Sequence, residues 1–194
     1  MRRLTYYIAT TIDGFISGPD GEFDFFPMTA DVLTAINAEW PETVPGHLRA
    51  QAGLTETANR HFDTVLMGRG TYEPAYSAGI TSPYPHLRQI VFSRSLTSPD
   101  PAVEIVADAD PVAVARTLKQ EDGLGVWLCG GADLAGQLLP EIDELIVKRY
   151  PVVAGAGKPM FGTGFAPSAF TLAESRSFES GTVVSTYRRQ PAQR

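Results

Sequence analysis

The chain has 194 residues, 43% of them hydrophobic and 20% charged, which suits one soluble globular domain whose core needs no metal or disulfide staple. A net charge of −6 argues against a nucleic-acid or anionic-membrane surface, while leaving room for a local basic pocket. The single cysteine, Cys129, excludes an internal disulfide and a multi-cysteine zinc site, and the run after Met1-Arg2-Arg3, broken by Asp13 and Gly14, is too short and polar for a signal peptide or membrane span, which predicts a cytoplasmic protein.

In chain order, Leu4 to Thr11 is β-branched and aromatic and predicts a strand. Gly18-Pro19-Asp20-Gly21 is a turn. Asp31 to Trp40 predicts a helix with Thr29 as its N-cap, Pro41 to Gly46 a break, and His47 to Arg60 a second helix despite Gly53. Thr64 to Met67 is a buried-type strand, a short helix starts after Gly70, and Ser77 to Arg88 is loop. Gln89 to Phe92 and Val103 to Val106 are short strands, and Pro111 opens a helix running to Gln120. Val126 to Cys129 is a strand followed by a helix over Ala132 to Leu139. Asp143 to Val153 is a long strand bent at Pro151, Ala154 to Gly164 a Gly-rich loop, and Phe170–Phe178 with Thr182–Arg188 a hairpin around Ser180-Gly181. The alternation in the middle predicts an α/β fold: a mostly parallel sheet covered on both faces, with an antiparallel hairpin at one edge. One domain over residues 1–190 and a tail, 191–194, are expected.

Two segments repeat one device. Val65-Leu66-Met67-Gly68-Arg69-Gly70-Thr71 and Val126-Trp127-Leu128-Cys129-Gly130-Gly131-Ala132 each run from a strand through glycine into a helix start. Glycine lets a ligand approach the backbone, and the free N–H groups of a helix start face an anion. Two such turns at the same ends of parallel strands fit a ligand with several phosphates, although glycines also turn strands into helices with no ligand. Ile90-Val91-Phe92-Ser93-Arg94-Ser95 puts a guanidinium between two hydroxyls past a third strand, a donor set suited to a phosphate monoester or, equally, a solvated loop.

The segment Met67-Gly68-Arg69-Gly70-Thr71-Tyr72-Glu73 resembles the Met-Gly-Arg-x-Thr strand end of dihydrofolate reductases, Ile90 to Ser95 their next strand, and Cys129-Gly130-Gly131-Ala132-Asp133-Leu134 their Gly-Gly turn. Leu4 to Ser17 with Asp13-Gly14, and Asp143-Glu144-Leu145 through Pro151-Val152-Val153 to Gly155-Ala156-Gly157-Lys158-Pro159-Met160-Phe161, are similar to the reductase domain of bacterial bifunctional riboflavin biosynthesis enzymes. The matches keep the family's order across nearly the whole chain. The resemblance implies a dihydrofolate reductase-like fold, an NADPH cofactor and a homodimer. It implies that Gly68, Arg69 and Thr71 hold adenosine-side phosphates, Ser93, Arg94 and Ser95 the 2′-phosphate and adenine, and Gly130, Gly131, Ala132 and Leu134 the pyrophosphate. Ala9 and Ile16 would line the nicotinamide pocket or simply pack in the core. The zinc deaminase motifs of the bifunctional enzymes are missing, and the loop Gly21-Glu22-Phe23-Asp24-Phe25-Phe26-Pro27 lacks the Trp of folate reductases.

Reducing a C=N or C=O bond takes a hydride and a proton. Asp31 stands where folate reductases keep a carboxylate at a helix start, and Asp13 matches the Asp-Gly of the riboflavin reductases; each reads equally as a helix-start or turn residue. A carboxylate beside a nicotinamide is expected to have a raised pKa. Glu22 and Asp24 are further candidates. Gly155-Ala156-Gly157 lacks the third glycine of a dinucleotide fingerprint, and His47, His61 and His86 lack metal spacing, so no metal is expected. The predicted activity is NADPH-dependent reduction of a small pterin- or ribosylaminopyrimidine-like heterocycle; the alternative is a non-catalytic nucleotide-binding protein of the same fold.

Overall fold

The computed structural model describes residues 1–97 and 100–190; the expected tail, 191–194, lies outside them. In chain order the elements are β1 (Leu4–Thr10), β2 (Phe15–Ser17), α1 (Ala30–Glu39), the one-turn α2 (Gly46–Arg49), β3 (Phe62–Gly68), α3 (Arg69–Ser77), β4 (Arg88–Phe92), β5 (Val103–Val106), α4 (Pro111–Gln120), β6 (Gly125–Gly130), α5 (Ala132–Leu138), β7 (Glu144–Arg149), β8 (Lys158–Pro159), β9 (Phe170–Ser177) and β10 (Val183–Arg189), with 3-10 turns at Pro41–Thr43 and Leu139–Glu141. Eight strands form one sheet in the order β5-β4-β3-β6-β1-β7-β10-β9. The six from β5 to β7 are parallel, and β10 and β9 join antiparallel. The predicted α/β class and the edge hairpin are what the chain adopts.

Period-two side-chain alternation splits two cores across the parallel strands. Tyr7, Val65, Met67, Val91, Trp127 and Ile146 face one side, under Val32 and Ile36 of α1 and Tyr72 of α3. Their sequence neighbours Tyr6, Leu66, Ile90, Leu128 and Leu145 face the other, under Leu118 of α4 and Leu134 and Leu138 of α5. Both faces are dry, so the strands read as continuous apolar runs. β9 is exposed along almost its whole length and leaves that sheet edge unpaired. Among the described residues no helix is long and apolar enough to cross a membrane.

Four local expectations are corrected. The helix predicted over His47–Arg60 is a single turn, Gly46–Arg49. Gly53 takes φ +69°, and Leu54 N–H turns back to the Arg49 carbonyl at 2.8 Å. The Arg49 guanidinium then donates to the carbonyls of Pro41, Leu54 and Thr57, at 2.7, 2.8 and 2.7 Å, pinning an irregular segment that a helix would have paired internally. Thr29 occupies the N-cap of α1, but its hydroxyl makes no cap bond. The strand expected to reach Val153 stops at Arg149, because Pro151 has no N–H for a ladder. The Gly-rich loop holds β8, which pairs antiparallel with β2 in a small second sheet that no pattern announced.

Candidate active site

The parallel strands end along one edge of the sheet, and the turns that leave those ends build the site. β3 ends at Gly68, which caps α3, and β6 ends at Gly130, with Gly131 capping α5. β3 and β6 are neighbours, so the two turns touch: a Cβ built on Gly68 would lie 3.4 Å from the Gly131 nitrogen and 3.6 Å from the Gly130 oxygen. Gly130 has φ +145°, a backbone conformation that side chains rarely adopt. The Thr71 hydroxyl, in the first turn of α3, lies against this pair.

One cleft of about 1280 Å³ runs along these strand ends. Gly68, Arg69, Thr71, Gly130, Gly131, Ala132 and Leu134 line its middle stretch, and Ser93, Arg94 and Ser95 belong to the same lining. Ala9 and Ile16 line it too, so all twelve residues that the resemblance assigned to a cofactor share one continuous space. Arg69 is held in place: its guanidinium donates to Ser95 Oγ at 2.9 Å and pairs with Glu73 one helical turn on, at 3.2 Å. The Ser93 hydroxyl accepts from the Ser95 and Leu96 N–H groups at 3.3 and 3.1 Å, which closes the loop that presents the exposed Arg94.

The floor of the cleft was not foreseen. Tyr7, Trp127, Tyr84, Cys129 and Lys148 line it. Tyr84 stands edge-on to Trp127 at 4.9 Å, and the indole N–H donates to the Tyr7 carbonyl at 3.2 Å. Lys148 Nζ lies over the Tyr7 ring, 3.9 Å from its centroid. Burial pushes the Cys129 thiol up to about 12, which agrees with the reading of Cys129 as no nucleophile. Burial pushes the Lys148 ammonium down to about 8. The missed signal was a lysine directly after the apolar run Leu145-Ile146-Val147, still within the strand. His47, read as a surface or helix residue, is in α2 and lines the far wall with Thr43 and Pro45.

The two candidate carboxylates do not join this lining. Asp13 sits at the tip of the β1–β2 loop and accepts from the N–H groups of Ala154 and Gly155, at 3.1 and 2.7 Å. Asp31 accepts from Val32 N–H at 2.9 Å and Ser180 N–H at 3.1 Å, tying the start of α1 to the terminal hairpin turn. Their pKa values move opposite to the expectation. The hydroxyl of Thr11 and then backbone N–H groups hold Asp13 at about 2; the hydroxyl of Thr29 and then the Ser180 N–H hold Asp31 at about 2. Hydrogen bonds to the charged form outweigh what little burial opposes it. A depressed folded-state pKa gives stability that is present above the ordinary carboxyl value and lost as the pH falls toward the folded one. Both groups therefore stay ionised from pH 5 to 9. Asp31→Asn is expected to leave the pH dependence of turnover unchanged over that range, and Asp13→Asn to speed amide exchange at Ala154 and Gly155. A lost acid limb in the first variant, or unchanged exchange in the second, contradicts these assignments. The other carboxylates suggested by sequence, Glu22 and Asp24, are also outside the lining.

Comparison with known proteins now bears on this cleft. The profile of the RibD C-terminal domain matches residues 2–184. The chain belongs to the RibD C-terminal domain family. Two relatives from Bacillus subtilis (strain 168) are similar along their lengths. The uncharacterized protein YwjB is 32% identical over 163 residues, 82% of this chain and 83% of that protein. The uncharacterized protein YyaP is 28% identical over 199 residues, 96% of this chain and 94% of that protein. Among solved structures, a protein assigned to riboflavin biosynthesis in Shewanella sp. PV-4 superposes with a TM-score of 0.67 at 23% identity, covering 98% of this chain and 100% of that one. The diaminohydroxyphosphoribosylaminopyrimidine deaminase/5-amino-6-(5-phosphoribosylamino)uracil reductase of Thermotoga maritima gives 0.64 at 16% identity, covering 97% of this chain but 57% of that protein. At these identities the structural likenesses establish the fold, and the family membership makes the chain a reductase-like domain.

Proposed function

We propose that this member of the family is an NADPH-dependent reductase of a small heterocycle of the ribosylaminopyrimidine or pterin kind. The observation that carries the reading is the meeting, in one cleft, of three strand-end motifs spread from Gly68 to Leu134 with Ala9 and Ile16. The residues fit the cofactor on a physical test. An added Cβ at Gly131 would meet only the Thr71 hydroxyl, at 3.5 Å, so the backbone there is bare and open to a ligand. The first turn of α3 adds unpaired N–H groups, and Arg69 and Arg94 add guanidinium donors for phosphate. When bound, NADPH supplies the hydride. The protein's part is to fix the phosphates at Gly68, Arg69, Thr71, Gly130, Gly131, Ala132 and Leu134, to meet the 2′-phosphate with Ser93, Arg94 and Ser95, and to seat the nicotinamide against Ala9 and Ile16. The aromatic floor of Tyr7, Tyr84 and Trp127 is left for a flat substrate and excludes water from it.

Calorimetric titration with NADPH and NADH tests the cofactor. The preference for NADPH is expected to be about ten- to a hundred-fold, the worth of one charge-assisted contact of about 1.5–3 kcal/mol, and to shrink by most of that factor in Arg94→Ala. Equal affinities remove Arg94 from the 2′-phosphate site. Absence of binding by either cofactor overturns the reductase reading, and tight binding without oxidation of NADPH across a heterocycle panel favours a non-catalytic nucleotide binder. The same reading includes a cytoplasmic homodimer, for which the unpaired β9 edge is the available surface; sedimentation of the free protein decides its oligomeric state.

A further inference from the structure

The cleft floor holds a cation, Lys148, that no carboxylate neutralises among the described residues. Lys148 lies in register with Ala9 of β1 and Val184 of β10. Its ammonium therefore stands beside the residue assigned to the nicotinamide. The chain has three lysines. Lys119 is paired with Asp143, at 2.9 Å, and more distantly with Glu141, while Lys158 on β8 also lines the cleft but is exposed. Among the described residues the only carboxylate lining the cleft is Asp133, in the first turn of α5. An ammonium taken out of water costs free energy unless something compensates it, and the face of the Tyr7 ring does so only in part. A binding partner that carries negative charge would complete it.

We propose that Lys148 is the group that meets the reducible bond of the substrate, holding its oxygen or nitrogen and giving it the proton, so that the cleft takes planar molecules presenting a carbonyl or oxyanion there and rejects cationic diamino rings. This rests on the reductase reading above. In the step, the carbon of a C=O or C=N bond receives hydride from a reduced nicotinamide dinucleotide. The π pair moves to the heteroatom, which takes a proton from Nζ. The neutral amine left behind is reprotonated by water. The groups around Lys148 do not titrate with it. Tyr7 on β1, Cys129 on β6 and Tyr84 in the loop between α3 and β4 all have their own pKa values raised by burial, as has Tyr150 just past β7, so all four stay neutral near pH 8. From β10, Val184 and Thr186 carry no charge. Glu39 and Glu42 act on Tyr7, but neither pairs with Lys148. The donor form therefore exists below about pH 8 and is lost above it.

The test has an arm that needs no turnover. Reductive ¹³C-methylation labels three lysines and the N-terminus, and the signal missing in Lys148→Met identifies Lys148. Its titration midpoint is expected near pH 8, well below the ordinary lysine value. Barbiturate anion serves as an oxyanionic pyrimidine probe and 2,4-diaminopyrimidine, held at a pH where it is a cation, as its opposite; each is titrated with and without NADP⁺. Barbiturate is expected to bind and to lose about ten-fold or more in Lys148→Met but little in Lys148→Arg, while the cation binds weakly in every variant. With a substrate in hand, kcat/KM is expected to fall above pH 8. Lys148→Arg is expected to lose about 10²–10⁴-fold in kcat together with that basic limb, since arginine holds the oxygen without releasing a proton. A Lys148 midpoint at the ordinary lysine value, or barbiturate affinity unchanged in Lys148→Met, overturns the proposal. Loss of NADPH binding with anion binding intact would instead overturn the cofactor reading and leave Lys148 as an anion site.

Discussion

Gly131→Val is expected to weaken NADPH binding by about a hundred-fold or more, near 3 kcal/mol, while the melting temperature stays within a few degrees of the parent protein. On the cofactor placement proposed above, the bare backbone at Gly131 leaves room for the pyrophosphate. The Gly131 φ of −93° is one that any residue adopts, and a Cβ there touches only the Thr71 hydroxyl, at 3.5 Å. The fold therefore accepts the new carbon, and its branches take up cleft space where the pyrophosphate is placed. Gly130 is the opposite case. It carries the positive φ of +145°, and a Cβ there would crowd Thr71 Oγ1 at 3.1 Å, so Gly130→Ala is expected to cost about 1–3 kcal/mol of stability before any ligand is considered. Fluorescence titration of NADPH beside a thermal melt separates the two. Normal binding by Gly131→Val moves the phosphates away from this turn; a collapsed melt makes Gly131 a folding residue like its neighbour.

The pair also marks where the sequence could be read and where it could not. Strands were legible because a parallel sheet buried on both faces writes itself as an unbroken apolar run, and Leu66 with its neighbours, or Leu128 with Trp127, cannot be mistaken for surface. The glycine turns were legible because glycine after such a run has few other uses. What escaped depended on partners far away in the chain. The segment after Arg49 has a helical composition, but the Arg49 guanidinium holds the carbonyls of Pro41, Leu54 and Thr57 instead. β2 is three residues long and exists only because residues 158–159 come to it. Asp13 and Asp31 were judged by local position, and local position did not show that the N–H groups of residues 154, 155 and 180 would claim them. Lys148 was passed over because a Lys-Arg pair at the end of a strand reads as solvent-facing, and only the register with Ala9 puts Lys148 on the cleft side.

Glu42→Ala is expected to lose about 2–4 kcal/mol of stability. Glu42 is fully buried in a 3-10 turn, and its carboxylate accepts from the N–H groups of His61 at 2.7 Å, Phe62 at 2.9 Å and Arg60 at 3.3 Å. These donors precede or begin β3, so one side chain stitches the turn after α1 to the entry of a central strand. A buried donor stripped of its acceptor costs about 1–3 kcal/mol; that cost applies in full to Phe62 and in smaller measure to His61 and Arg60, whose bonds are only part-buried. Glu42→Gln keeps one acceptor oxygen and turns an amide N–H₂ toward a backbone donor, so a smaller loss of about 1–2 kcal/mol is expected. The consequence reaches the cleft, because the turn that Glu42 anchors leads into Thr43, Pro45 and His47 of its far wall. Urea unfolding with unchanged m-values, ordered parent above Glu42→Gln above Glu42→Ala, is the expected record. If Glu42→Ala unfolds at the parent's midpoint, water replaces the carboxylate at little cost, and the wall of the cleft is held by other contacts, those of Arg49 among them.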